Sequence, residues 1–208
     1  AYLGSHAGRR VLDGQIKLGD GETLSAVIWY SDLRQSTTLA DQLPAAEFLN
    51  VLNAYFDCTA GAVLDHGGEV LRFIGDAVLA IFSVEGPGGA ERAARMALAA
   101  ARDAESRMTH KNADRRARDE PVLAFGLGLH VGDVMYGNIG VPERLEFSVI
   151  GPAANEACRL EGLTKEIGRT VVVSSAFKGL LHLEWESLGR HVLRGVAAEQ
   201  EIFAPPAR

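Results

Sequence analysis

The sequence has little of several features that would point to a specialised environment. Only two of its 208 residues are cysteines, Cys58 and Cys158, too few for a disulfide framework or a zinc-binding spacing. A reducing, cytoplasmic setting is therefore expected, and both thiols are expected to be small core residues. No apolar run approaches the roughly 20 residues that a membrane-spanning helix needs, and the N-terminus lacks a signal-peptide pattern. We accordingly expect this domain itself to make no membrane contact.

The sequence also lacks an excess of basic residues. Its 21 Lys and Arg stand against 27 Asp and Glu, for a formal net charge of −6. No run of cations is long enough to form the positive stripe that nucleic-acid-binding proteins use, so we predict no nucleic-acid partner. An anionic ligand must then be met by a few local residues or by a metal ion. The remaining composition, 47% hydrophobic and 23% charged, is ordinary for a globular domain.

The order of apolar runs predicts a short lead-in followed by one α+β domain. Residues 1–23 are glycine-rich and polar without a clear period, which indicates a linker, and the domain is predicted to occupy residues 24–208. Inside it, strand-like runs alternate with amphipathic or alanine-rich stretches of helical period. Tight hairpins between the strands indicate a mixed or largely antiparallel sheet with helices packed on it. Strands are predicted at 24–30, 69–74, 77–82 and 169–175, and helices after Pro44, over 89–109 and after Gly151.

Two glycine-aspartate pairs interrupt apolar runs and predict hairpins. Gly75-Asp76 joins "EVLRFI" to "AVLAIF", and a two-residue loop with glycine first is typical of a type II′ turn. Gly132-Asp133 lies between "PVLAFGLGLHV" and "VMYGNIGV" and predicts a second hairpin of the same kind. Asp133 is expected to serve that turn alone.

Two aspartates are predicted to meet at one edge of the sheet. Asp32 ends the first strand, Asp76 lies at the hairpin tip, and adjacent strands would bring them side by side. Such a pair repels unless a divalent cation lies between the two carboxylates, and oxygen ligands suit Mg²⁺ or Mn²⁺. Ser36 and Thr37 follow in a turn whose N–H and hydroxyl groups suit phosphate oxygens. The combination predicts a metal and polyphosphate site, although either aspartate alone is as readily explained by turn or strand-end chemistry.

A third element supports this interpretation. Asn155 and Arg159 are four residues apart and therefore share one face of the helix after Gly151. Arg159 is suited to meet phosphate charge and Asn155 to hold a sugar. By itself, an Asn–Arg pair on a helix surface more often has no catalytic role.

Four segments, taken in order, resemble the class III nucleotidyl cyclases, the catalytic domains of adenylyl and guanylyl cyclases. They are "AVIWYSDLRQSTTL", "LRFIGDAVLAIF", "GLGLHVGDVMYGNIG" and "FSVIGPAANEACRLE". The resemblance covers about residues 24–204. It implies a ferredoxin-like βαββαβ core with additional strands. It also implies a homodimer in which the two protomers build each active site together.

The resemblance further implies a role for each site residue. Asp32 and Asp76 match two metal-binding aspartates, with the carbonyl of Leu33 as a further ligand, and two divalent cations, Mg²⁺ or Mn²⁺, would bind there with ATP. Asn155 matches the residue that orients the ribose, and Arg159 the one that stabilises the negative transition state. Both would come from the protomer opposite the metals.

Base choice depends, by the same resemblance, on Arg72 and Ser148. Adenylyl members typically have lysine and then aspartate or threonine at these positions, whereas guanylyl members have glutamate and a smaller residue such as cysteine. A cation donates to adenine N1 but cannot accept from the guanine N1–H, so ATP is expected and cyclic AMP is the expected product. The alternative is a guanylyl cyclase that makes cyclic GMP. Arg194 stands where the family often has a lysine that contacts the phosphates.

Three positions depart from the family pattern. Gln35 and Ser36 stand where Gly-Phe is common, and this change in the phosphate loop could reduce activity. Pro152 replaces a usual Asp or Asn and is easily tolerated in the first turn of a helix. A further alternative is a cyclase-like domain that binds nucleotide and signals without turnover. The four metal and catalytic positions are all present, which argues against that alternative.

Overall fold

The computed structural model describes residues 21–141, 144–193 and 199–206. Eight strands and five helices lie in these ranges, and the strands belong to one sheet. The strands are β1 (Gly21–Leu33), β2 (Glu69–Ile74), β3 (Ala77–Ser83), β4 (Phe125–Val141), β5 (Arg144–Ile150), β6 (Val171–Ser174), β7 (Glu186–His191) and β8 (Gln200–Ala204). The helices are α1 (Ser36–Gln42), α2 (Ala45–Asp65), α3 (Gly89–Arg116), α4 (Pro152–Ile167) and α5 (Ser175–Lys178).

The sheet has the order β2–β3–β1–β4–β6–β8–β7, and β5 pairs with β4. Among the described pairings only β4 with β6 is parallel. The part β2–β3–β1–β4, with α2 after β1 and α3 after β3, is the ferredoxin-like βαββαβ core. The predicted α+β class with a largely antiparallel sheet is confirmed.

Helices cover both faces of the central strands. Val27 and Trp29 of β1 point into the larger core, which also contains buried residues of α2 and α3. Ala26 and Ile28 alternate with them and pack on the opposite face against Ala157 of α4. Because the middle of β1 is buried on both sides, residues 26–30 form a continuous apolar run instead of alternating with polar residues.

β4 is one strand of 17 residues, so the predicted hairpin at Gly132-Asp133 is wrong. β1 pairs with it without a break, from Gly21 opposite Gly137 to Leu33 opposite Phe125. The hairpin in this region instead joins β4 to β5.

Packing explains why glycine stands at position 132 without a turn. A Cβ added to Gly132 would lie 2.8 Å from the Cβ of Ala153, so the residue lets α4 approach the strand. Asp133 is likewise no turn residue, because its carboxylate accepts a hydrogen bond from the Ser25 hydroxyl of β1. A glycine in an apolar run is therefore ambiguous between a bend and a close contact.

The chain differs from the prediction in two further details. β1 begins at Gly21, ahead of the predicted start at Leu24, while residues 1–20 lie outside the described residues. The division into a 1–23 lead-in and a 24–208 domain thus stays a prediction. Cys58 is buried as expected, whereas Cys158 is exposed. Within the described ranges, no helix combines the length and apolar character needed to cross a membrane.

Candidate active site

The strand register brings Asp32 and Asp76 together at one end of the sheet. Asp32 of β1 is paired with Ala77 of β3, the residue that follows Asp76. The Leu33 N–H donates to the Asp76 carbonyl at 3.4 Å. Gly75 has a φ of 63° and Asp76 does not have a positive φ, as the predicted type II′ turn requires. The predicted meeting of the two carboxylates is therefore seen.

The environment of Asp32 disfavours its charged form. Burial raises the pKa of Asp32 to about 7, and a hydrogen bond with Asp76, the charge of Asp76 and the charge of Glu161 add to this effect. A hydrogen bond from the Leu33 backbone N–H acts against these effects and lowers the pKa of Asp32. Two acidic groups are thus held side by side in a partly buried site.

The Oδ1 atom of Asp32 is the strongest indication of a metal site. This oxygen is buried and has no hydrogen-bond partner within the part of the chain that the structure describes. Buried polar atoms normally have a partner, and a carboxylate oxygen beside a second carboxylate is a ligand that a divalent cation would satisfy. Asp32, Asp76 and the nearby Leu33 carbonyl therefore fit a small, hard cation with oxygen ligands.

The loop after Asp32 turns sharply into α1. The Arg34 N–H donates to the Ala124 carbonyl at 2.8 Å, and its guanidinium donates to the Arg169 carbonyl at 3.1 Å, so Arg34 anchors the loop. Gln35 caps α1 with a left-handed backbone, φ 59°. That conformation costs a non-glycine residue about 1 kcal/mol or more. A glycine, which the resemblance leads one to expect at position 35, would adopt this backbone without strain, whereas Gln35 adopts it at a conformational cost.

Ser36 and Thr37 form the first turn of α1, directly after this loop. Ser36 is half-buried and Thr37 is exposed. The N–H groups at the start of a helix have no carbonyl partner inside the helix, so those of this turn can donate to an acceptor outside it.

Asn155 and Arg159 lie on the outer side of α4. The helix buries Ala153, Ala157, Leu160 and Thr164 against the sheet. Asn155 is exposed and Arg159 is half-buried, so both lie away from the face that packs on β4. Pro152 occupies the first helical position, which confirms that the helix tolerates it there.

The residues predicted to select the base lie on strands that touch. Arg72 is half-buried in β2, opposite Leu79 and next to a shift in register. Ser148 lies in β5, where its backbone pairs with Gly137, and its side chain is outside what the structure describes. β2 contacts β5, so the two positions belong to adjoining elements. Arg194 falls outside the described residues, and its role stays a prediction.

A row of glycines on β4, of which only Gly132 was considered from the sequence and then as a turn residue, decides how closely α4 packs. Gly126, Gly128 and Gly132 alternate along the strand and share its α4 face. A Cβ on Gly128 would overlap the Ala157 carbonyl oxygen and lie 2.6 Å from the Glu161 nitrogen. The period-two glycines of "GLGLHVG" were the available signal for this contact.

The close approach brings one further acidic residue to the site. A Cβ on Gly126 would overlap Oε1 of Glu161 and Oγ1 of Thr164. Gly126 is the residue paired with Asp32. The carboxylate of Glu161 thus lies above the strand position next to Asp32, a location that spacing along the chain did not indicate.

Comparison with known proteins identifies the family. The model of the adenylate and guanylate cyclase catalytic domain matches residues 21–204. A Mycobacterium tuberculosis protein is 35% identical over 99% of this chain and 36% of its own length. An adenylate cyclase of Anabaena cylindrica is 32% identical over 77% of this chain and 32% of its own length.

A solved structure supports the same assignment. A bacterial light-regulated adenylyl cyclase superposes with a TM-score of 0.82 at 27% identity, over 98% of this chain and 58% of that one. The chain spans about a third of the length of the curated relatives it matches. The family match covers nearly the whole described chain, and the chain therefore belongs to the class III cyclases, the family of adenylate and guanylate cyclase catalytic domains.

Proposed function

We propose that this domain is an adenylyl cyclase that converts ATP into 3′,5′-cyclic AMP and pyrophosphate. The observation that carries the proposal is the buried Oδ1 of Asp32 beside Asp76, an oxygen without a hydrogen-bond partner among the residues that the structure describes. In a cyclase domain, that arrangement suits the divalent cations that accompany a nucleoside triphosphate. ATP is a cytoplasmic metabolite, so the proposal also assigns the domain to the cytoplasm.

Two cations, Mg²⁺ or Mn²⁺, would be held by Asp32, Asp76 and the Leu33 carbonyl. When bound, such ions lower the pKa of the ribose 3′-hydroxyl and neutralise the charge on the triphosphate. The two aspartates supply the negative charge that keeps the ions at the end of β1. Ser36 and Thr37 would bind phosphate oxygens at the start of α1, and Arg194 would add a positive charge.

The other half of each site would come from a second copy of the chain. Asn155 would orient the ribose, and Arg159 would stabilise the charge that builds up around the α-phosphate. The position of both residues on the outer side of α4 supports this division, because they are directed away from the sheet that carries Asp32. The functional unit is accordingly a homodimer with composite sites.

Arg72 and Ser148 would read adenine. The guanidinium of Arg72 can donate to adenine N1, and the Ser148 hydroxyl can form the second hydrogen bond. The contact between β2 and β5 supports a joint role. A family relative named as an adenylate cyclase agrees with this choice.

A product assay tests the reaction and the base choice together. The purified chain is incubated with Mn²⁺ or Mg²⁺ and either ATP or GTP, and the products are separated by chromatography. We expect cyclic AMP from ATP. Cyclic GMP would overturn the assignment of Arg72 and Ser148, and nucleotide binding without product would favour a signalling domain without turnover.

A paired substitution tests the metal assignment. Asp76→Asn should abolish metal-dependent turnover and leave the fold intact, because it replaces a charged ligand at the half-buried hairpin tip by a side chain of the same size. Asp114→Asn is the matched control, since Asp114 is an exposed aspartate on α3. An Asp76→Asn enzyme with wild-type rates would contradict the assignment.

A further inference from the structure

We propose that Glu161 is a positioning residue of the metal centre, a third acidic group that strengthens cation binding at Asp32 and Asp76 without ligating the ion. The inference rests on the proposed function, because it takes these two aspartates to hold the cations. It adds to the metal site a residue from α4 of the same chain, whereas Asn155 and Arg159 of that helix would complete the site of the second copy.

The first support is the face on which Glu161 lies. Residues of even number on β1, such as Ala26 and Ile28, point towards α4, and Asp32 continues this alternation. Directly opposed residues of an antiparallel pair point to the same face, so Asp32 and Gly126 share the α4 side of the sheet. Glu161 fills the space that a side chain at Gly126 would take. The two carboxylates therefore occupy neighbouring positions on one face.

The second support is electrostatic. Burial raises the pKa of Glu161, and the charge of Asp76 raises it further. The charge of Glu161 in turn contributes to the raised pKa of Asp32. Each of the three carboxylates thus interacts with at least one other. Without a cation they repel one another, and a cation held by two of them would also be attracted by the third.

Two neighbours keep Glu161 in place and favour its charged form. The positive charge of Arg34 and a hydrogen bond from the Thr164 side chain both lower the pKa of Glu161, against the effect of burial. Arg34 belongs to the loop after Asp32 and is anchored to the Arg169 carbonyl. Glu161 is therefore placed between this loop and the sheet, with a cation on one side of it.

We assign Glu161 no direct bond to the ion. Among the residues whose side chains the structure describes, no group of three or more His, Cys, Asp or Glu residues is arranged to hold one ion. Its role is therefore exerted through charge and through groups bound to the cation. Such outer groups commonly change metal affinity by about tenfold or more when they are removed.

The experiment measures Mn²⁺ binding to the full chain, by the electron paramagnetic resonance signal of free Mn²⁺, alongside thermal unfolding without metal. Wild type, Glu161→Gln, Asp76→Asn and the control Glu166→Gln are compared. Glu166 is exposed on the same helix. We expect Glu161→Gln to weaken Mn²⁺ binding about tenfold. Its metal-free melting temperature should be unchanged or higher, because the substitution removes a repelling charge.

The outcomes separate this inference from the proposed function. If wild type binds Mn²⁺, Asp76→Asn loses it and Glu161→Gln binds like wild type, Glu161 has no such role and the metal site stands. If Glu161→Gln lowers the metal-free melting temperature and leaves the affinity unchanged, its role is only structural and the inference is overturned. If wild type does not bind Mn²⁺, or Asp76→Asn binds equally well, the metal assignment and the inference are both wrong.

Discussion

At the scale of single residues, the charge of Asp32 is linked to the occupancy of the site. Its pKa of about 7 means that the metal-free fold retains a proton on this group at pH values where an ordinary aspartate, with a pKa of 3.8, has lost it. A divalent cation at the same oxygens replaces that proton. Metal affinity and pH are therefore coupled through this one side chain.

This coupling predicts a pH-dependent stability. Because the folded state binds the Asp32 proton more tightly than the unfolded state does, this group makes the metal-free protein less stable as pH rises from about 4 to about 7. Bound Mg²⁺ offsets the loss, so the rise in melting temperature on adding Mg²⁺ should be larger at about pH 7.5 than at about pH 5. Thermal unfolding of wild type and Asp32→Asn, with and without Mg²⁺ at both pH values, measures this rise in melting temperature. Identical pH profiles for the two proteins would contradict the assigned pKa.

At the scale of elements, the contact between α4 and β4 sets the geometry of the site. Backbone atoms of the helix lie against Gly128, where a side chain would meet the Ala157 carbonyl. The same contact holds Glu161 above Gly126 and directs Asn155 outward. α4 is thus positioned by glycines on the strand as well as by its own apolar residues.

A pair of glycine substitutions tests this contact. Gly128→Ala should destabilise the protein by about 2 kcal/mol or more, because the new methyl group meets helix backbone that cannot move aside cheaply. Gly162→Ala is the control, since nothing lies within 4 Å of a Cβ at that exposed helical position. The control should be neutral or stabilising by up to about 1 kcal/mol. Urea unfolding measures both, and equal stabilities would show that α4 is not held in this way.

At the scale of the whole molecule, the two halves of the proposed site are carried by different elements of one chain. The carboxylate pair lies at the end of β1, while Asn155 and Arg159 lie on the outer side of α4. A single chain would then offer two incomplete half-sites. Two chains related by a twofold axis would complete both.

Mixing inactive variants tests this arrangement. Arg159→Ala alone should lower the turnover rate by a factor equivalent to about 2 to 4 kcal/mol. Mixed in equal amounts with Asp76→Asn, it should restore about a quarter of the wild-type rate, because random exchange makes about half the dimers mixed and each has one complete site. A mixture of Asp32→Asn with Asp76→Asn should stay inactive. Product formation is measured after subunit exchange, and no recovery in the first mixture would exclude sites shared in this way.

The sequence by itself determined the parts of this protein that depend on neighbouring residues. A strand that ends at Asp32, a turn at Gly75-Asp76 and a helix that pairs Asn155 with Arg159 all follow from local spacing. The four family segments then placed these parts in one site and predicted the ferredoxin-like core. The structure confirms that core and the meeting of the two aspartates.

Only the tertiary structure decided the features that depend on which surfaces pack together. The local sequence at Gly132 is compatible with a turn or with a close contact to another element. In the structure β4 continues through this residue in its pairing with β1, and Gly132 lies against α4. Glu161 and Asp32 are far apart in the chain, and they come close because Gly126 has no side chain and leaves space for Glu161. The role of such a glycine cannot be predicted from the local sequence, because the space that it leaves is filled by a residue of the element packed against it.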